Sequence, residues 1–153
     1  MLQDFPIVLN NMLTQAFHNI LRLEEEYLQK SSRINLSIRE MHLIECIGEC
    51  DNEEKTASEI ADFLRIARPS ATVAIKKLEQ KGYLSKSADG ADGRFVRIAL
   101  TREGRKIFRF HKRYHSNLVA EISKGFDEDE QGCLIRAINK LNEFFEKDAE
   151  NAK

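Results

Sequence analysis

The chain has 153 residues, 42 % of them hydrophobic and 32 % charged, with seven glycines and two prolines, which is length enough for one buried core and few residues that break helices. No stretch approaches the roughly 18 apolar residues of a membrane span, Met1-Leu2-Gln3-Asp4 offers neither the basic nor the apolar part of an export signal, and three cysteines do not make a disulfide framework, so a cytoplasmic location is expected. The net charge of −1 hides a division, with 4 basic and 10 acidic side chains over residues 1–54, 11 and 6 over residues 55–105, and 9 of each beyond; a basic middle in a neutral chain is the footprint of a polyanion partner.

From about residue 5 to residue 30, Phe5, Val8, Leu9, Met12, Leu13, Phe17, Ile20, Leu21, Tyr27 and Leu28 recur at helical spacing, which predicts a long amphipathic helix. The apolar stripe is broad for a helix at the edge of a small domain, so part of it is expected to face a partner subunit. Ser37-Ile38-Arg39-Glu40 is a capping box with Leu36 and Met41 as its hydrophobic staple, and it opens a second helix to about Cys50. Asp51 to Lys55 reads as a charged loop. A second capping box, Thr56-Ala57-Ser58-Glu59, starts a short helix with Ile60, Ala61 and Leu64 inward, and Arg68-Pro69 restarts a helix that runs to Lys81 with Gly82 as its left-handed cap. Two helices joined by so short a turn form a helix-turn-helix.

The period then changes. Tyr83 to Ser87 and Phe95 to Leu100 read as two strands, the second with Val96, Ile98 and Leu100 on one face, joined by the glycine-rich tip from Ala88 to Arg94. Thr101 caps a long helix to about Ser123, and Asp127-Glu128-Asp129-Glu130 opens a last helix carrying Leu134, Ile138, Leu141, Phe144 and Phe145. The expected fold is mainly α with a small β-hairpin wing: a winged helix-turn-helix flanked by long N- and C-terminal helices, the flanking helices to which the resemblance given below assigns dimerisation.

Projection of Pro69 to Lys81 at 100° per residue gathers Ala71, Ala74, Ile75 and Leu78 on the core side. The opposite side, with the helix start, offers Arg68, Pro69, Ser70, Thr72, Val73, Lys76, Lys77 and Gln80, the hydroxyl, small apolar, cationic and amide groups that reach phosphates and base edges in a major groove. Taken alone, this segment is equally an ordinary basic surface helix with one stray valine. The hairpin that follows favours the DNA reading. Arg94 at its tip suits a minor groove, where the potential is most negative. Asp92 is placed to hold that guanidinium by charge-assisted hydrogen bonds, and Lys86 and Arg97 on the strands suit phosphates.

The stretch Thr56 to Thr101 resembles the DNA-binding core of MarR-type regulators. The markers are Ala57-Ser58-Glu59-Ile60-Ala61, the run Leu78-Glu79-Gln80-Lys81-Gly82-Tyr83-Leu84, Asp92-Gly93-Arg94 in the wing, and Leu100-Thr101-Arg102-Glu103-Gly104 after it. The helix order extends the resemblance over nearly the whole chain, which implies one domain over 1–153 with its winged core at about 37–100. It also implies a homodimer built from the helices at about 5–30 and 102–148, addressing a pseudo-palindromic operator in double-stranded DNA. Phe5, Val8, Leu9 and Met12 with Leu141, Phe144 and Phe145 are the expected dimer contacts. Many members carry arginine where Val73 stands, so their base preference does not transfer. More narrowly, Ser37-Ile38-Arg39-Glu40-Met41-His42 and His111-Lys112-Arg113-Tyr114-His115 resemble the subgroup that represses fatty-acid synthesis genes. That resemblance implies a long-chain acyl group on acyl carrier protein as co-repressor, an apolar slot between the dimer helices, and a basic surface to which Arg109, Lys112 and Arg113 fit loosely.

Zinc-sensing members suggest another role for the histidines, in which Glu24, His42, His111 and His115 would ligate a metal; the competing explanation is that they are hydrogen-bonded structural groups, and no metal or other cofactor is expected. Cys46 and Cys50 share a helix face in an apolar segment and read as inert. An enzyme is not expected, because there is no Gly-x-Ser-x-Gly, no phosphate-binding glycine loop and no further Cys/His/Asp grouping. A winged module that binds protein instead of DNA remains the rival of another class.

Overall fold

The computed structural model describes residues 4–30, 34–50, 54–89 and 95–151. The elements run α1 (Phe5–Lys30), α2 (Ile38–Gly48), β1 (Glu54–Lys55), α3 (Ala57–Phe63), α4 (Arg68–Gln80), β2 (Leu84–Asp89), β3 (Phe95–Leu100), α5 (Arg102–Ser123) and α6 (Glu128–Asn151). The chain divides into two compact units, residues 1–109 and 110–153, with the boundary inside α5.

In the first unit both capping boxes form. The Ser37 backbone N–H donates to Glu40 Oε2 at 2.8 Å and the Glu40 N–H donates back to Ser37 Oγ at 3.3 Å; Thr56 and Glu59 repeat the exchange at 2.6 and 3.2 Å. Each box satisfies backbone donors that a helix start leaves open, which is why these two helices begin where they do. The two staple residues, Leu36 and Met41, are both buried in the core cluster. The core gathers Met41, Leu43, Ile44 and Ile47 of α2, Ile60 and Ala61 of α3, Ala71, Ile75 and Leu78 of α4, Leu84 of β2, and Ile98 and Leu100 of β3, with Leu28 of α1 at its edge.

Between α3 and α4 the chain turns over Leu64 to Ala67, with Arg65 at φ 52° in the left-handed region and the Ile66 N–H donating to the Ala61 carbonyl at 3.0 Å. At the far end of α4, Gly82 takes φ +80°. Its N–H bonds the Glu79 carbonyl at 2.9 Å and the Tyr83 N–H bonds that of Leu78 at 3.0 Å, a Schellman ending that only glycine adopts without strain. This explains why the following strand starts at Leu84 and not at Tyr83, since the Tyr83 N–H is committed to closing the helix.

The sheet has three antiparallel strands in the order β1-β3-β2, one more than the hairpin read from the sequence. The extra strand, Glu54-Lys55, lies at the end of the stretch read as a charged loop and pairs Glu54 with Ala99 and Lys55 with Ile98. Two charged residues show no period-2 apolar pattern, so only the pairing itself marks them. Between β2 and β3 the register sets Leu84 opposite Leu100 and Lys86 opposite Ile98. Thr101 joins sheet to helix: its N–H donates to the Tyr83 carbonyl at 3.0 Å, and its hydroxyl donates to the Gly82 carbonyl at 2.7 Å and accepts the Gly104 N–H at 3.1 Å.

The second unit holds the end of α5 and all of α6. The Asp127 cap forms as expected, with the Asp127 N–H donating to Glu130 Oε2 at 3.0 Å and the Glu130 N–H to Asp127 Oδ1 at 2.8 Å. Val119, Ile122, Phe126, Leu134 and Ile135 line an apolar hollow of about 300 Å3 with Ser123 and Gln131. Among the described residues no helix is long and apolar enough to cross a membrane.

Candidate nucleic-acid interface

The core holds α4 by Ala71, Ile75 and Leu78 and leaves the opposite side in solvent. Arg68, Pro69, Ser70, Thr72, Val73, Lys76, Lys77 and Gln80 are all exposed, so the projected outward face is the observed one. Val73 is 70 % exposed, a branched apolar side chain facing water without a fold-related reason. Thr72 donates its hydroxyl to the Arg68 carbonyl at 3.0 Å, which leaves its methyl and oxygen lone pairs outward.

The cations of this face fall into two groups. No ion pair of Arg68 or Lys76 is seen among the described residues. The others have carboxylate partners. Lys77 Nζ lies 3.1 Å from Glu40 Oε1, Lys86 Nζ lies 2.6 Å from Glu79 Oε2, and Arg97 Nη1 lies 3.8 Å from Glu59 Oε2. Lys81 joins the first pair, donating to both oxygens of Glu40 at 2.9 and 3.0 Å and to the Asn35 carbonyl at 2.7 Å. Burial opposes ionisation of Glu40, but the Ser37 N–H and the Lys81 and Lys77 ammonium groups outweigh it and lower its pKa to about 2. The carboxyl of Glu59 is also held below its usual range, by the N–H and hydroxyl of Thr56 first and by Arg97 after them.

Sequence reasoning named these cations and missed their partners. In the sequence Glu40 and Glu59 stand out as caps and as parts of family-like runs, and Glu79 as part of such a run, none of them as a counterion. A faint signal existed, since a capping glutamate leaves an oxygen free for a cation. Asp92 and Arg94, the expected hairpin-tip pair, lie outside the described residues.

The remaining candidate residues are distributed as follows. On α1, Phe5, Val8 and Met12 are exposed and Leu9 half-buried; on α6, Phe144 and Phe145 are exposed and Leu141 half-buried. Of the four histidine-set residues, Glu24 is buried and lies 3.6 Å from His42 Nε2 in the first unit, while His111 is buried and meets the His115 ring edge-on at 4.5 Å between centroids in the second. No buried side-chain nitrogen or oxygen among the described residues lacks a hydrogen-bond partner. Burial pushes the Cys46 thiol up to about 11, against its chemistry as a nucleophile, and Cys50 donates its thiol to the Glu54 carbonyl at 3.2 Å.

Residues 36–96 match the family model of the MarR family. The uncharacterised HTH-type regulators YybA and YhjH of Bacillus subtilis are 24 % identical over 94 residues and 26 % over 100, and the chain spans only 63 % and 56 % of their length. The transcriptional regulator AdcR of Streptococcus pneumoniae is 28 % identical over 144 residues, 91 % of this chain and 93 % of that protein. Among solved structures, the DNA complex of MepR from S. aureus shares the fold at a TM-score of 0.71 and 17 % identity, covering 88 % of this chain and 96 % of that one. The DNA complex of FabT from Streptococcus pneumoniae superposes at a TM-score of 0.86 with 34 % identity, covering 91 % of this chain and 96 % of that one. A wing on a three-stranded sheet, an outward-facing recognition helix and an identity of 34 % over nine-tenths of the chain place the protein in the MarR family of winged-helix, DNA-binding transcriptional regulators.

Proposed function

We propose that the protein is a cytoplasmic homodimeric repressor of fatty-acid synthesis genes, which binds a pseudo-palindromic operator and is tightened on it by a long-chain acyl group presented on acyl carrier protein. It acts by binding, without catalysis. The observation that carries the DNA-binding part is the outward face of α4, where Val73, Arg68 and Lys76 stand in solvent on a helix whose other side is locked in the core. That combination suits a thymine methyl and phosphates. The similarity to FabT, solved in complex with DNA, supports the narrower assignment, as does the apolar hollow of about 300 Å3 in the second unit. A hollow of this kind suits an alkyl chain, because each buried methylene contributes roughly 0.8 kcal/mol.

The second reading is a zinc-responsive regulator. It draws on the Glu24–His42 contact and on the i, i+4 pair His111 and His115, a spacing that ligates one ion. Operator binding, measured with and without long-chain acyl carrier protein and repeated with chelator and with added zinc, separates the two. Tightening that grows with acyl length supports the first reading. A response to zinc alone, lost in His111→Ala, overturns it and establishes the second. The protein-interaction alternative fails if duplex DNA binds with a salt-dependent affinity.

A further inference from the structure

The basic face is less available to DNA than its composition suggests. On α4 the two cations without an ion pair among the described residues are Arg68, at the helix start, and Lys76, in the C-terminal half beside Lys77. Lys77 and Lys81 meet Glu40, and the wing-strand cation Lys86 meets Glu79, which itself sits on α4. Glu40 cannot follow Lys77 outward. It is 5 % exposed and is fixed from other directions by the Ser37 N–H at 2.8 Å, the Ser37 hydroxyl at 3.1 Å and the Lys81 ammonium at 2.9 Å. A phosphate that took Lys77 would have to leave this carboxylate short of one partner or crowd against it. At Glu79 the contact is shorter, 2.6 Å, and both partners are only about a third exposed.

We propose that Glu40 and Glu79 are specificity-determining positioning residues, internal counterions that keep Lys77 and Lys86 from binding phosphate indiscriminately and leave Arg68 and Lys76 to lead the approach to DNA. The inference rests on the DNA-binding reading. Non-specific affinity arises almost wholly from cations that neutralise phosphates and release condensed counterions. A lysine already neutralised by a protein carboxylate releases fewer, since it exchanges one anion for another. The face therefore binds arbitrary sequence more weakly than its lysine count implies. The contacts that read base edges, near the helix N-terminus, are left unencumbered.

The test is the slope of log affinity against log salt for the intact protein on an arbitrary 40-base-pair duplex, since each phosphate engaged contributes about 0.9 to it. Lys76→Gln is expected to flatten the slope by about 0.9, and Lys86→Gln by less than about half of that. In the variant Glu79→Gln the slope steepens, and there Lys86→Gln removes a full increment of about 0.9. Glu40→Gln and Lys77→Gln are expected to couple in the same way. Should Glu40→Gln fail to fold, which a thermal melt would show, the Glu79–Lys86 cycle decides alone. A carboxylate that merely repels DNA would act equally with or without its lysine, so an additive cycle overturns the proposal. Equal losses from Lys76→Gln and Lys86→Gln in the native protein also overturn it. A native slope near zero would instead overturn the DNA-binding reading itself.

Discussion

Glu40 shows how one residue joins local structure to function. Its backbone and one oxygen close the cap of α2, and its carboxylate also receives the ammonium groups of Lys77 in α4 and of Lys81, the residue that follows α4. Hydropathy periodicity exposes which face of α4 is outward, and it placed Val73, Lys76 and Lys77 correctly; it is blind to which carboxylate arrives opposite, because that depends on how two helices cross. The depressed pKa gives a prediction with a definite sign. The folded carboxyl titrates at about 2 against an ordinary value of 4.5. The charged form therefore contributes stability that is complete above about pH 4.5 and is lost as pH falls through about 2. The shift corresponds to something on the order of 3 kcal/mol. Unfolding midpoints measured across that window should fall steeply in the native protein and much less in Glu40→Gln; parallel curves would show that this carboxyl is not the group responsible. On the DNA side, Arg68→Ala should weaken binding to all duplexes at low salt. Val73→Ala should lower affinity only for operators that carry a thymine at the contacted position, a difference readable by gel shift.

The elements that were legible in advance are those whose ends are written in side chains. Ser37, Thr56 and Asp127 cap α2, α3 and α6 with glutamate three residues on, and all three boxes form. Gly82 ends α4 because the chain needs a positive φ there. The strand β1 was not legible, as its two charged residues owe their conformation to β3 and to nothing in themselves. Loss of a cap should cost about 1 kcal/mol, so Thr56→Ala should lower the unfolding midpoint by a few degrees. It should also loosen Glu59, which Thr56 orients toward Arg97. Gly104 is more demanding. A Cβ at this position would run into the Tyr83 carbonyl oxygen, the same oxygen that accepts the Thr101 N–H. Gly104→Ala should therefore cost about 1–3 kcal/mol through a forced backbone shift, although alanine is otherwise the better helix former. A calorimetric midpoint equal to or above that of the native protein would refute the close approach.

The two compact units are both left with apolar surface that their own packing does not cover. Phe5, Val8 and Met12 project from α1 in the first unit, and Phe144 and Phe145 from α6 in the second. Scattered single apolar residues need no explanation, but aromatic and aliphatic side chains repeated along helices mark a surface meant for a partner. A second copy of the chain suits the proposed function, because one recognition helix engages too little DNA for a tight site while two, fixed by a two-fold axis, address half-sites about 10 base pairs apart. Joining the two engagements makes the second one intramolecular, and affinity for a full site then exceeds that for a half-site by about 10²–10⁴ without any new contact. Sedimentation at micromolar concentration should show a stable dimer. Phe144→Arg combined with Phe145→Arg should convert it to monomer, because each buries a charge in an apolar interface. The monomer should retain half-site binding and its salt slope per half-site while losing the excess affinity for the full operator. If the variant instead loses half-site binding in proportion, the aromatic pair stabilises the chain itself. If the native protein sediments as a monomer at micromolar concentration, the dimeric reading fails.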